Sequence, residues 1–147
     1  MSRGQGFAGE LKLAVTCASG LEKTLKSEIK RLGYGEPPAD NGTLIVGNCD
    51  ALAAARLNLN LRTADRVYVV LAEFRAESFD ELFEGVSTVR FEDYIPKNGA
   101  ITVNGKCVKS KLFSISDCQK IVKKAIATRL CKKYCVKTLP ESGAAYD

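Results

Sequence analysis

The chain has 147 residues and carries 22 Lys or Arg against 17 Asp or Glu, with six cysteines, no histidine and no tryptophan. This length suits one medium domain or two small ones, and an apolar fraction of 46% with 27% charged residues argues against a disordered chain. The lack of histidine excludes His-based catalysis and His-ligated metal sites. Residues 11–16 are short, apolar and close to alternating, which predicts a buried strand.

Two helices are predicted in the first half of the chain. Ser19 and Glu22 have the spacing of a capping box, and Gly33 supplies a left-handed stop for the helix that follows. Its apolar face is formed by Leu21, Leu25, Ile29 and Leu32. Asp50 is predicted to cap a second helix, rich in alanine and leucine, that continues to Leu61.

Further strands are predicted between and after these helices. The turn over residues 40–42 (Asp-Asn-Gly) separates a short segment near Tyr34 from a strand over residues 43–46. Residues 66–74 form the most strand-like run of the chain. The order is therefore β-α-β-β-α-β, which is the ferredoxin-like arrangement.

The second half of the chain predicts an α-β-α order. Residues 78–86 combine a capping box with apolar positions at helical spacing, which predicts a short amphipathic helix. Residues 100–108 alternate loosely as a strand. Ser114 or Ser116 then caps a long helix that runs to about Tyr134.

The fold class predicted from these elements is α+β, with a ferredoxin-like unit followed by an incomplete α/β domain. We expect residues 1–76 to hold a leader and the ferredoxin-like domain, and residues 77–147 to hold the second domain. Pro140 and Gly143 are predicted to end the long helix, and no strand that could pair with residues 100–108 is predicted after them.

Positive charge is concentrated in one segment. Residues 97–138 contain eleven Lys or Arg and one acid, Asp117, a net charge of +10, whereas the rest of the chain carries 11 bases and 16 acids. Such a distribution indicates one basic face, and the usual partner of a basic face is a polyanion.

The predicted binding surface lies at the start of the long helix. A helix N-terminus offers unpaired N–H groups and partial positive charge, so nearby lysines and serine hydroxyls would form a phosphate cradle. The residues assigned to this cradle are Lys109, Ser110, Lys111, Ser114, Ser116, Lys120, Lys123 and Lys124. Phe113 is expected to anchor the connection in the core, and no aromatic platform for stacking bases is predicted. A solvated basic helix face, or a face that docks an acidic protein, would have the same charge pattern.

No catalytic or metal-binding residues are predicted. The cysteines form no C-x-x-C pair and are expected to be small, buried, inert thiols. Glu92 and Asp93 are interpreted as solvated surface acids, and Arg129 falls inside the apolar arc of its helix. No apolar run reaches the roughly 20 residues that span a bilayer and no secretory signal is present, so we expect a cytoplasmic protein with reduced thiols and no membrane partner.

Three stretches of the sequence resemble a known family. They are residues 13–22 (LAVTCASGLE), residues 59–67 (LNLRTADRV) and residues 109–126 (KSKLFSISDCQKIVKKAI). In this order they resemble the THUMP-domain RNA methyltransferases of the 23S rRNA guanine type, and the resemblance covers essentially residues 11–143.

The resemblance implies a ferredoxin-like domain joined to a THUMP domain, which binds structured RNA, with rRNA more expected than tRNA. A wider definition of the THUMP domain would begin near residue 45. Members of the family continue into a catalytic domain with an S-adenosylmethionine loop and an Asn/Asp-Pro-Pro-aromatic motif. The Pro-Pro pair here, Pro37-Pro38, lacks that context. We therefore expect no catalysis and no cofactor in this chain, which would be a fragment cut before the methyltransferase domain and before the last THUMP strand.

Overall fold

The computed structural model describes residues 10–141 and 143–146, so most of the predicted leader lies outside the described part. The described residues divide into two compact units, one ending at Leu71 and the other beginning at Ala72. The sequence placed this division between residues 76 and 77. Each unit has its own apolar core.

The first unit has the predicted β-α-β-β-α-β order. Its elements are β1 (Leu11–Thr16), α1 (Glu22–Arg31), β2 (Ala39–Asp40), β3 (Thr43–Cys49), α2 (Ala51–Asn60) and β4 (Arg66–Val69). The strands form one antiparallel sheet in the order β2-β3-β1-β4, which confirms the ferredoxin-like fold.

Burial along β1 follows the alternation of its sequence. Leu11, Leu13 and Val15 are buried, whereas the residues between them are partly exposed. Leu25 and Ile29 from α1 and Leu57 from α2 are also fully buried in the same cluster. One face of the sheet is therefore covered by the two helices.

Several local predictions in this unit are confirmed. Asn41 and Gly42 have positive φ values of 46° and 76°, as a tight hairpin between β2 and β3 requires. Asp50 accepts a hydrogen bond from the N–H of Ala53 at 2.7 Å and caps α2. Gly33 follows α1 with a φ of 91°.

Three predictions in this unit are corrected. Ser19 does not cap α1, because the left-handed turn at Gly20 makes Leu21 the N-cap, and the Glu22 carboxylate accepts a hydrogen bond from the N–H of Gly20 at 2.8 Å. The segment before the hairpin pairs at Ala39–Asp40 and not near Tyr34. The last strand ends at Val69, well before residue 74, because its partner β1 is only six residues long.

The second unit contains α3 (Phe79–Ser87), a 3-10 turn (Phe91–Asp93), β5 (Ala100–Ile101), α4 (Ile115–Tyr134) and β6 (Ala145–Tyr146). Ser78 caps α3 by accepting from the N–H of Glu81 at 3.2 Å, as predicted. The core of this unit is formed by Val86, Phe91, Ile95, Ala125, Ile126 and Leu130.

The strand predicted over residues 100–108 is much shorter. Only Ala100 and Ile101 are paired, and their partner is β6, in parallel register. Gly143 has a φ of 148°, and a Cβ at this position would lie only 2.4 Å from the carbonyl oxygen of Asn98. The absence of a Cβ therefore permits the close approach of the two segments. The expectation that no partner strand follows α4 is therefore wrong.

Candidate nucleic-acid interface

The predicted binding residues lie in one loop and on the first half of α4. The loop over residues 102–114 contains no helix or strand, and Lys109 within it has a φ of 47°, which is uncommon for a residue with a side chain. A Cβ on Gly105 would lie 3.4 Å from Ile115 and 3.4 Å from Gln119. The loop therefore rests on the first turns of α4 and brings its lysines beside the helix N-terminus.

Ser114 is the N-cap of α4, which decides between the two serines that the sequence left open. Its hydroxyl accepts a hydrogen bond from the N–H of Asp117 at 3.4 Å and donates to the Asp117 carboxylate at 2.6 Å. The Ser114 hydroxyl is thus engaged within the protein, and Asp117 offsets part of the positive helix end. Ser116 is exposed in the first turn, and the N–H groups of Ile115 and Ser116 have no acceptor within an α-helix.

The lysines of α4 face outward, as the sequence predicted. Lys120, Lys123 and Lys124 are all exposed, while Ala125, Ile126 and Leu130 are buried. The Lys120 ammonium lies 3.7 Å from the Asp117 carboxylate, an exposed pair one turn apart. These three lysines extend the positive surface along the helix away from the loop.

Lys111 takes part in an ion cluster that the sequence did not predict. Its ammonium contacts the carboxylate of Glu77, and that carboxylate also accepts hydrogen bonds from Arg75, including one from Nε at 3.0 Å. The bonds from Lys111 and Arg75 hold the pKa of Glu77 below its ordinary value. Arg75 is therefore an additional cation at this surface. No local spacing could have identified it, since Lys111 lies 34 residues from Glu77.

Ser110 and Lys109 complete the loop. The Ser110 hydroxyl accepts a hydrogen bond from the N–H of Leu112 at 3.2 Å, which tightens the turn that follows Lys109. Both residues are exposed. All eight predicted site residues therefore fall on one continuous segment, 109–124, whose contact with a ligand stays a prediction.

Phe113 is not in the core, contrary to the sequence analysis. Its side chain is 83% exposed. A residue just before an N-cap packs against the fourth helical position, which here is the small Cys118. The core of the unit is filled by other residues, among them Phe91 and Ile95. The ring is therefore largely in contact with solvent.

Glu92 is not a solvated surface acid. Its side chain is only 10% exposed and accepts two hydrogen bonds from Arg129, from Nε and Nη2, each at 2.8 Å. Arg129 also donates from Nη1 to the carbonyl of Ser87 at 2.7 Å. The Arg129 guanidinium lowers the pKa of Glu92 to about 2. This pair explains why an arginine lies within the apolar arc of α4 and sets it apart from the exposed lysines.

A cavity of about 580 Å³ adjoins this ion pair. It is lined by Ser87, Glu92, Thr128, Arg129, Lys132 and Lys133. The two lysines lie in the last turn of α4, where positive charge also complements the helix dipole.

The cysteines are free, and they differ in exposure. Cys17 and Cys49 are buried, and burial raises the pKa of both thiols. Cys135 is exposed at the left-handed C-cap of α4, so the expectation that all thiols are buried is wrong. Among residues 10–141 and 143–146, no cluster of three or more potential metal ligands is found. No helix in the same ranges is long and apolar enough to cross a membrane.

Comparison with known proteins identifies both units. Residues 12–68 match the RlmL ferredoxin-like domain, and residues 76–138 match the THUMP domain.

The chain is 49% identical over 118 residues to YpsC of Bacillus subtilis strain 168, which is named as a proposed RNA methyltransferase. It is 36% identical over 97 residues to the ribosomal RNA large subunit methyltransferase K/L of Pseudomonas putida strain W619. These alignments cover 80% and 66% of this chain. They cover only 30% and 13% of the two relatives.

A crystal structure from Listeria monocytogenes, described as that of a predicted N6-adenine-specific DNA methylase, superposes with a TM-score of 0.85 at 46% identity. The match covers 95% of this chain and 36% of that one. The chain therefore spans about a third or less of the length of these relatives, and it belongs to the family of proteins that join an RlmL ferredoxin-like domain to a THUMP domain.

Proposed function

We propose that this chain is the RNA-binding module of an RNA methyltransferase, and that it grips RNA phosphates with the loop over residues 102–114 and the first half of α4. The observation that carries the proposal is the convergence of exposed lysines on one helix start. Phosphate contacts of this kind give affinity that depends steeply on salt and discriminates little between sequences.

The nature of the nucleic acid is part of the proposal. The name of the Pseudomonas relative favours ribosomal RNA, whereas the Listeria structure is described as a DNA methylase. We propose structured rRNA as the preferred partner, ahead of tRNA and of DNA. Competition among an rRNA hairpin, a tRNA and a DNA duplex of equal length would rank them, and preference for DNA would contradict the proposal.

The methyl transfer itself is assigned to a methyltransferase domain of the kind that the relatives are named for, with S-adenosylmethionine as the methyl donor. The present chain is expected to contribute binding and no catalysis. S-adenosylmethionine should therefore leave the thermal unfolding midpoint of this chain unchanged, and clear stabilisation by it would contradict this division of roles. We also propose that the protein acts in the cytoplasm.

The test is a titration of a labelled rRNA hairpin with the protein at about 50 mM and about 200 mM KCl, and binding is measured by fluorescence anisotropy. The variant Lys109→Glu/Lys111→Glu should bind the RNA more weakly. The slope of log affinity against log salt concentration should be smaller in magnitude by about 1.8, since each phosphate contact contributes about 0.9. The matched control is Lys23→Glu/Arg31→Glu, which makes the same charge change on exposed residues of α1.

Two outcomes would contradict the proposal. Flat salt dependence would show that phosphates are not the ligand, and equal losses in both variants would show that net charge and not this surface determines binding. An acidic protein partner is the competing explanation for the same charge. Poly-glutamate that displaces the RNA at equal charge concentration would favour that alternative.

A further inference from the structure

The most exposed aromatic side chain of the second unit stands within its most basic loop. Phe113 is 83% exposed and lies between Lys111 and Ser114, the N-cap of α4. Leaving a phenyl ring in water forgoes the free energy that its burial would supply. A side chain with this exposure therefore adds little to the stability of the fold and is free to contact a ligand.

The surroundings of Phe113 are both apolar and positively charged. Val108 is 50% exposed and Ile115 is 40% exposed, so the same loop and helix start carry further exposed apolar side chains. Lys109 and Lys111 are exposed on the same loop. Such a combination matches a single-stranded nucleic acid, in which each base offers a flat apolar face and each linkage a negative charge.

We propose that Phe113 is a stacking platform for an unpaired RNA base, with Lys109 and Lys111 contacting the flanking phosphates. This proposal rests on the proposed RNA-binding function and deepens it, because phosphate contacts alone do not specify whether the bound nucleotide is paired or unpaired. It also replaces the expectation from the sequence that no aromatic platform is available. That expectation depended on placing Phe113 in the core.

The geometry gives the platform a defined place. The loop rests on α4 through Gly105, and Ser114 fixes the backbone that immediately follows Phe113. Lys111, two residues before Phe113, is held by an ion pair with Glu77. The exposed ion pair between Lys111 and Glu77 is weak, so a phosphate can replace the Glu77 carboxylate when RNA binds.

The experiment uses the variant Phe113→Trp, which introduces the first tryptophan of a chain that has none. Its fluorescence is followed during titration with two RNA duplexes of the same paired sequence, one blunt and one with an unpaired 3′ extension. Stacking predicts strong quenching by the extended duplex and little by the blunt one. Leu59→Trp is the matched control, since Leu59 is 85% exposed in the first unit and should show no quenching by either RNA.

The variant Phe113→Ala should weaken binding of the extended duplex by about 5- to 150-fold and leave binding of the blunt duplex unaffected. Far-UV circular dichroism should be unchanged, because the side chain is exposed. Binding of the extended duplex without quenching, or equal weakening of both duplexes, would overturn the stacking platform while leaving phosphate binding intact. Absence of binding to both duplexes at low salt would overturn the proposed function together with the platform.

Discussion

The ion pair between Glu92 and Arg129 should determine how the second unit responds to acid. We consider the variant Glu92→Gln, which keeps the size of the side chain and removes its charge. The two hydrogen bonds from Arg129 to the carboxylate, each 2.8 Å long, would be reduced to one at most, and a partly buried guanidinium would lose its counter-charge.

The magnitude follows from the pKa of Glu92, which falls from an ordinary value of 4.5 to about 2. A difference of this size corresponds to about 3 kcal/mol between the charged and the neutral carboxyl group, at about 1.4 kcal/mol for each pKa unit. Because the Arg129 side chain is still 27% exposed, water recovers part of this energy. We therefore expect Glu92→Gln to lower the free energy of unfolding by about 2 kcal/mol at pH 7.

The pH dependence has a definite sign. A carboxyl group with a lowered pKa in the folded state stabilises that state above its unfolded value, and the contribution is lost as the pH falls through the folded value. The difference in stability between the wild type and Glu92→Gln should therefore be largest above pH 4.5 and should shrink as the pH approaches about 2. Urea unfolding monitored by far-UV circular dichroism, to which α4 contributes as the longest helix of the described residues, would measure it.

The control is Asp93→Asn at the adjacent carboxylate. Asp93 pairs with Arg90 at 3.1 Å, but the Arg90 side chain is 70% exposed. An exposed pair of this kind contributes about 0–1 kcal/mol, so the variant should unfold close to the wild type. Equal stability of Glu92→Gln and wild type at pH 7, or a difference that does not change between pH 5 and acid, would refute the reasoning.

Three further predictions concern a helix cap, an ion cluster and a thiol. Asp50→Ala should lower the thermal unfolding midpoint of the first unit, with a loss of about 1 kcal/mol, because the N–H of Ala53 loses its acceptor; an unchanged midpoint would contradict the capping role. Glu77→Gln should strengthen RNA binding at low salt and steepen its salt dependence, since Lys111 and Arg75 are released; weaker binding would show that Glu77 positions these cations and does not compete for them. In a thiol-reactivity assay on the folded chain, Cys135 should react first, and a variant lacking this exposed thiol should lose the fast phase.

The sequence was informative where the determinants are local. Alternation at residues 11–16, the turn at Asn41 and Gly42, and the caps at Asp50 and Ser78 each depend on a few neighbouring residues. In each case the structure confirms the prediction, because backbone geometry and side-chain capping act within one turn or one strand pair.

Predictions failed where the partner lies far along the chain. The sequence could not show that β5 pairs with residues near position 145, so its strand was predicted too long. Nor could it show that Arg129 meets Glu92, which lies 37 residues away. Phe113 was expected to anchor its connection in the core, but its side chain is 83% exposed, and the fourth helical position that it would contact is the small Cys118.

Ion pairs within the chain reduce the number of cations between residues 97 and 138 that are available to bind phosphates. Three of the eleven cations between residues 97 and 138, namely Lys111, Lys120 and Arg129, contact carboxylates within the described part of the chain. Arg129 is held by two short bonds and is partly buried, so it will not exchange its carboxylate for a phosphate. Lys111 and Lys120 are exposed and can exchange their carboxylate partners for phosphates. The released carboxylate of Glu77 or Asp117 then lies next to the bound RNA. The slope of log affinity against log salt should consequently be smaller than a net charge of +10 suggests.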